Sequence, residues 1–85
     1  MMNNKFHIGW CPFCNQGWID IVKDSSQNRM LLLCDECFTT WDNPTDIQLN
    51  NPMKYELLNK LETPSLNEIQ EMGWDKLIIS IDKMP

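Results

Sequence analysis

Positive charge is scarce in this chain. Seven of its 85 residues are basic, namely Lys5, Lys23, Arg29, Lys54, Lys60, Lys76 and Lys83, and they are scattered. Twelve acidic residues leave a formal net charge of −5. Binding to a polyanion draws its affinity from clustered Lys and Arg. The balance therefore argues against DNA or RNA as partner and fits a basic protein better. Acidity of this kind also serves plain solubility. No run of 18 apolar residues exists, so no membrane span is expected. Met1-Met2-Asn3-Asn4-Lys5 is not followed by the apolar stretch of a secretory leader. A cytoplasmic location is expected. Histidine occurs once, at His7, which leaves no convincing Ser-His-Asp set. No carboxylate pair stands out as general acid and base, so no enzyme is expected. Internal repeats are absent apart from one, which carries the chemistry.

That repeat is a pair of cysteine motifs, Cys11-Pro12-Phe13-Cys14 and Cys34-Asp35-Glu36-Cys37, separated by 19 residues. The C-x₂-C…C-x₂-C spacing is that of a tetrahedral metal site, most often zinc. Each pair curls into a tight turn that presents two thiolates to one ion. The intervening segment has hairpin length and returns the second turn beside the first. Two disulfides are the competing reading and require an oxidising compartment. Four thiolates would also hold iron, as in a rubredoxin-like electron carrier. His7 is a fifth candidate ligand, but four cysteines already fill a tetrahedron, and it is expected on the face of the first strand. A Cys₄ zinc adds a formal charge of about −2 and brings the loaded chain to about −7. In a chain this short, such an ion acts as a staple for a small core.

A short strand is expected over residues 5–14, entering the first turn. Asn15 suits the left-handed backbone wanted after Cys14, whereas Phe38, in the equivalent place after Cys37, suits it poorly. Residues 17–24 alternate as a strand, with Ile19 and Ile21 on one face and Trp18, Asp20 and Val22 on the other. Residues 25–28 form a polar turn, Arg29 to Leu33 a second strand, and Phe38 to Trp41 a third. Asp42-Asn43-Pro44 stops the third strand, and residues 43–52 are a polar connection. Asn51 and Pro52 can open a helix whose apolar face is Met53, Leu57, Leu58 and Leu61. Ser65 and Glu68 have capping-box spacing, Leu66, Ile69 and Met72 continue an apolar stripe, and Gly73 ends it. Residues 77–81 read as a final strand.

The expected architecture is a small α+β chain forming one domain over 1–85. A three-stranded ribbon over 5–43 is stapled by the Cys₄ site. A helical extension over 51–85, with one or two short helices and a C-terminal strand, packs on it. Most of the four tryptophans are expected to cover the metal end and join the ribbon to the helices. Trp18 or Trp41 is the candidate exposed anchor for a partner. Asp20, Asp24, Asp35, Glu36, Asp42 and Asp46 are the candidate steering charges, all in the ribbon half.

Residues 6–42 resemble a zinc ribbon through their four cysteines. The wider layout resembles small stand-alone bacterial zinc-ribbon proteins. The matching features are Leu32 to Cys37 with the following Trp41 and Pro44, the segment Pro64-Ser65-Leu66-Asn67-Glu68-Ile69, and Gly73-Trp74-Asp75-Lys76. The resemblance implies a non-enzymatic binding module of the toxin-immunity kind, with one structural Zn²⁺. A zinc-ribbon nucleic-acid or transcription accessory protein and an iron electron carrier are the alternatives.

Overall fold

The computed structural model describes residues 4–25, 27–53 and 61–83. It is a small α+β fold built on one antiparallel sheet. The strands are β1 (Asn4–Trp10), β2 (Trp18–Asp24), β3 (Arg29–Cys34), β4 (Thr40–Trp41), β5 (Leu61–Glu62) and β6 (Ser80–Lys83). They pair in the order β4-β3-β2-β1-β6, with β5 also on β2. The helices are α1 (Pro44–Gln48) and α2 (Leu66–Met72), and a 3₁₀ turn spans Trp74–Leu77.

β2 is the spine. All of it but Trp18 pairs with β3, from Ile19↔Cys34 to Asp24↔Arg29. Its other edge is shared. β1 takes it through His7↔Asp20, Gly9↔Ile19 and Trp10↔Trp18, with one extra residue between His7 and Gly9. β5 takes it at Lys23↔Glu62 and Asp24↔Leu61. A bulge of this kind bends a strand and increases its twist. The N-terminal half of β1 pairs instead with β6, from Asn4↔Lys83 to His7↔Ser80.

Cross-strand pairs stack the core onto one face. Ile19 sits opposite Cys34, Ile21 opposite Leu32, and Leu32 opposite Trp41. These five side chains are buried, and Phe6, Cys11, Ile69 and Trp74 join them. Helix α2 delivers Ile69, and the turn after it delivers Trp74. The helix starts where the sequence says it should. Ser65 Oγ accepts the Glu68 N–H, and Glu68 Oε1 accepts the Ser65 N–H. It stops at Gly73, whose φ of 76° is left-handed and costs glycine little.

Glu68 has a second role. Its other oxygen accepts a hydrogen bond from the Lys23 ammonium on β2, tying the helix start to the sheet. Lys23, followed by the Ser65 N–H, holds the Glu68 carboxyl below its ordinary value of 4.5. A carboxyl depressed in the fold contributes its stability above its unfolded pKa. That contribution is lost as pH falls through the depressed folded value. Glu68→Gln should therefore flatten the acid limb of a stability–pH profile measured by urea melts, while wild type falls away below about pH 4.5. Ser65→Ala should remove the cap and cost about 1 kcal/mol in the same melts.

Three expectations are corrected. Asn43 does more than stop a strand: its Oδ1 accepts the Asp46 N–H at 3.1 Å and caps α1, with Pro44 at its first turn. The helix expected to open at Asn51 and Pro52 is not formed at its described positions. Met53 forms a β-bridge with Thr40, and Leu61 lies in β5. Residues 54–60, with Leu57 and Leu58, lie outside the described residues. The final strand begins at Ser80, because Trp74–Leu77 completes a 3₁₀ turn first. The C-terminal segment thus enters the sheet beside β1.

Candidate metal centre

Two equivalent turns build the site. The first leaves β1, and the second lies between β3 and β4. In each, the residue after the second cysteine donates its N–H to the carbonyl of the first cysteine. Asn15 reaches Cys11 at 3.0 Å, and Phe38 reaches Cys34 at 3.1 Å. Both residues are left-handed, with φ of 55° at Asn15 and 60° at Phe38. Phe38 therefore takes the conformation that its side chain disfavours. The second turn copies the first despite the poorer residue.

The four sulfurs lie within 4.8 Å of one another. Cys11 Sγ is 3.8 Å from Cys37 Sγ, and Cys14 Sγ is 3.6 Å from Cys34 Sγ. Zinc–thiolate bonds of about 2.3 Å in a tetrahedron give sulfur–sulfur edges of about 3.8 Å. The residues fit such an ion. All four cysteines are free, and the spacings are far beyond the roughly 2.05 Å of a disulfide.

Backbone donors already face the sulfurs. Cys14 N–H points at Cys11 Sγ (3.5 Å), while Glu36 and Cys37 N–H point at Cys34 Sγ (3.4 and 3.5 Å). Such donors stabilise thiolate over thiol. Without an ion, burial dominates at two positions. It raises the Cys11 thiol and pushes Cys34 up to about 12, with the backbone donors opposing it. Cys37 behaves differently. Burial raises it too, but the Thr39 hydroxyl at 3.0 Å and the Thr39 N–H outweigh that and bring it to about 7. A dication reverses the cost of burying these thiolates and displaces their protons.

The second turn is clasped against the first. Cys11 N–H donates to the Gly17 carbonyl (2.9 Å), and Asp35 N–H to the Trp18 carbonyl (3.0 Å). Asp35 Oδ1 accepts the Trp18 N–H in return (3.0 Å). Gly17 lies in this seam. A Cβ there would meet Asp35 Oδ1 at 2.6 Å, Glu36 Cγ at 2.8 Å and Cys34 Sγ at 2.9 Å.

The candidate partner residues separate sharply. Trp41 is fully buried, and its Nε1–H has no acceptor among the described residues. Trp18 is half-buried, stacked on the His7 ring at 4.9 Å and edge-on to Trp10 at 5.2 Å. Neither stands out as an exposed anchor. Asp24 is fully buried and Asp20 is 6% exposed, so neither presents a charge to solvent. Asp20 lies opposite His7 in the sheet and accepts a hydrogen bond from His7 Nδ1. Burial raises its carboxyl, and the His7 bond opposes that rise. His7 is 3% exposed and lies outside the sulfur cluster. Asp35 is half-buried in the seam, and Asp46 is half-buried in the first turn of α1. Asp42 is exposed and bonded to Arg29 at 2.7 Å. Glu36 is exposed and makes no ion pair among the described residues.

Reasoning from sequence missed three contributors. Thr39 carries a signal, a hydroxyl two residues beyond a ligand. Gly17 carries a weaker one, a glycine just past the first turn. The His7–Asp20 pair has none, since its members lie 13 positions apart and only the register joins them. The four-cysteine cluster has the geometry and the donor set that a metal ion requires. No family model, curated protein or solved structure matches this chain.

Proposed function

We propose that the chain is a zinc-stapled, non-enzymatic protein-binding module whose partner is a basic protein. In its most concrete form it is an immunity protein that covers the active surface of a basic bacterial toxin. The observation that carries the reading is the donor set. Four thiolates close the tetrahedron and leave no position for water or substrate, and a catalytic zinc ordinarily keeps one open. The net charge of −5 supplies the preference for a basic partner.

Two measurements test it. Elemental analysis should return one zinc per chain and a colourless protein, whereas an iron–thiolate centre would be red. Co-purification with the product of an adjacent toxin-like gene should yield a tight complex whose association slows as salt rises. Binding to DNA or RNA at physiological salt, with no protein captured, replaces this reading with the nucleic-acid one.

A further inference from the structure

Three large aromatic side chains stand in solvent at one end of the molecule. Phe13 is 63% exposed, Phe38 59% and Trp10 48%. Each belongs to a metal turn or adjoins one: Trp10 precedes Cys11, Phe13 lies between Cys11 and Cys14, and Phe38 follows Cys37. Because the four sulfurs lie within 4.8 Å, one ion would hold both turns side by side.

Phe38 is the informative member. The first turn uses Asn15 at φ 55°, a residue that tolerates this backbone, and the second uses Phe38 at φ 60°. For a bulky side chain that conformation is strained. Burial does not offset the strain, since most of the ring is in water. Local strain of this kind concentrates at functional surfaces.

The chain segments that carry the turns hold no positive charge. Residues 6–22 and 30–53 contain no Lys or Arg. Glu36 projects from the second turn without an ion pair among the described residues. A loaded Zn(Cys⁻)₄ centre adds about −2. Exposed aromatics can also stack on nucleic-acid bases. Here the attached phosphates would meet Glu36 and an anionic centre, with no basic side chain in either turn segment to neutralise them.

We infer that Phe13 and Phe38, flanked by Glu36, form a docking tip that enters an apolar pocket with a basic rim on a partner protein. This rests on the protein-binding reading above and moves its anchors to the metal turns. The rings are cheap to immobilise, because each has two side-chain torsions and the metal fixes its backbone.

The test selects a displayed random-peptide library on the zinc-loaded full chain and titrates synthetic copies of the enriched peptides. Enriched sequences should combine Lys or Arg with large apolar residues, and should bind more weakly as salt rises. Phe13→Ala should weaken them at least ~10-fold with metal content unchanged. Phe38→Asn should also weaken them ~10-fold while raising the thermal midpoint by roughly 4 °C, since it relieves the backbone strain. A purely structural Phe38 would not separate the two readouts. Leu66→Ala, at the α2 end of the molecule, should change neither. Basic peptides that bind Phe13→Ala and Phe38→Asn as well as wild type overturn the tip and leave the protein-binding reading standing. Enrichment of peptides lacking Lys and Arg, self-association lost on Phe13→Ala, or no enrichment at all overturns both. So does oligo(dT) binding at physiological salt.

Discussion

Stripping the metal with a strong chelator should dismantle the metal end of the sheet. Cys11 and Cys34 are fully buried within the core cluster, so an ion held by them would close that core. Structural zinc sites contribute about 10–16 kcal/mol of apparent binding free energy at neutral pH, comparable to or above the whole stability of a small domain. Near-ultraviolet circular dichroism is the direct measurement, because Trp10 and Trp18 meet edge-on next to the first turn and Trp41 lies in the core. The tryptophan signal should collapse on chelation and return with stoichiometric zinc. Cys34→Ser should hold little metal and melt ~20 °C or more below wild type, corresponding to roughly 4 kcal/mol. Acid should act in the same direction as the chelator, since protons compete with the ion for the thiolates. A metal-free protein with an unchanged tryptophan signal and melting point would refute the staple.

Gly17→Ala is expected to damage both the fold and the metal site without touching a ligand. A methyl group there meets three atoms under 3.0 Å, including Cys34 Sγ. The exposed Glu36 side chain can swing away, but the other two contacts do not yield cheaply. The sulfur would be held by the ion, Asp35 Oδ1 is held by the Trp18 N–H, and the Gly17 carbonyl is held by Cys11. Overpacking at such a seam costs about 2–3 kcal/mol. Because the contact is with a ligand, zinc affinity should also fall at least ~10-fold. Gly9→Ala is the internal control, since nothing lies within 4 Å of its added methyl. Chelator-competition titrations and urea melts on the two variants should differ in both readouts. Equal behaviour would mean that the turns slide apart at little cost.

Local chemistry was legible in the chain. Cysteine spacing identifies four ligands because two residues between cysteines allow both sulfurs to reach one ion. Capping at Ser65 and Glu68, and the stop at Gly73, are decided within a few residues by hydrogen-bond geometry and the freedom of a missing Cβ. Asn15 is likewise a local preference. The left-handed Phe38 runs against its own preference, because four sulfurs and the Cys34 carbonyl require the second turn to close like the first.

Which side chains face solvent was decided by the tertiary structure. Alternation along β2 separates Ile19 and Ile21 from Asp20 and Asp24, but it does not say whether the second face is covered. Here it is covered, and both aspartates are buried, Asp20 against a histidine brought in by β1. Trp41 is buried because β4 places it opposite Leu32 on the core face, while Trp10, Phe13 and Phe38 extend past the end of that core. The pairing of β6 with β1 and of β5 with β2 joins residues far apart in the chain. Such pairings depend on which edges the earlier strands leave open: β6 takes the edge of β1 away from β2, and β5 takes the stretch of β2 that β1 does not reach. A spacing rule acts over a few bonds, whereas exposure and edge pairing depend on everything packed around a residue.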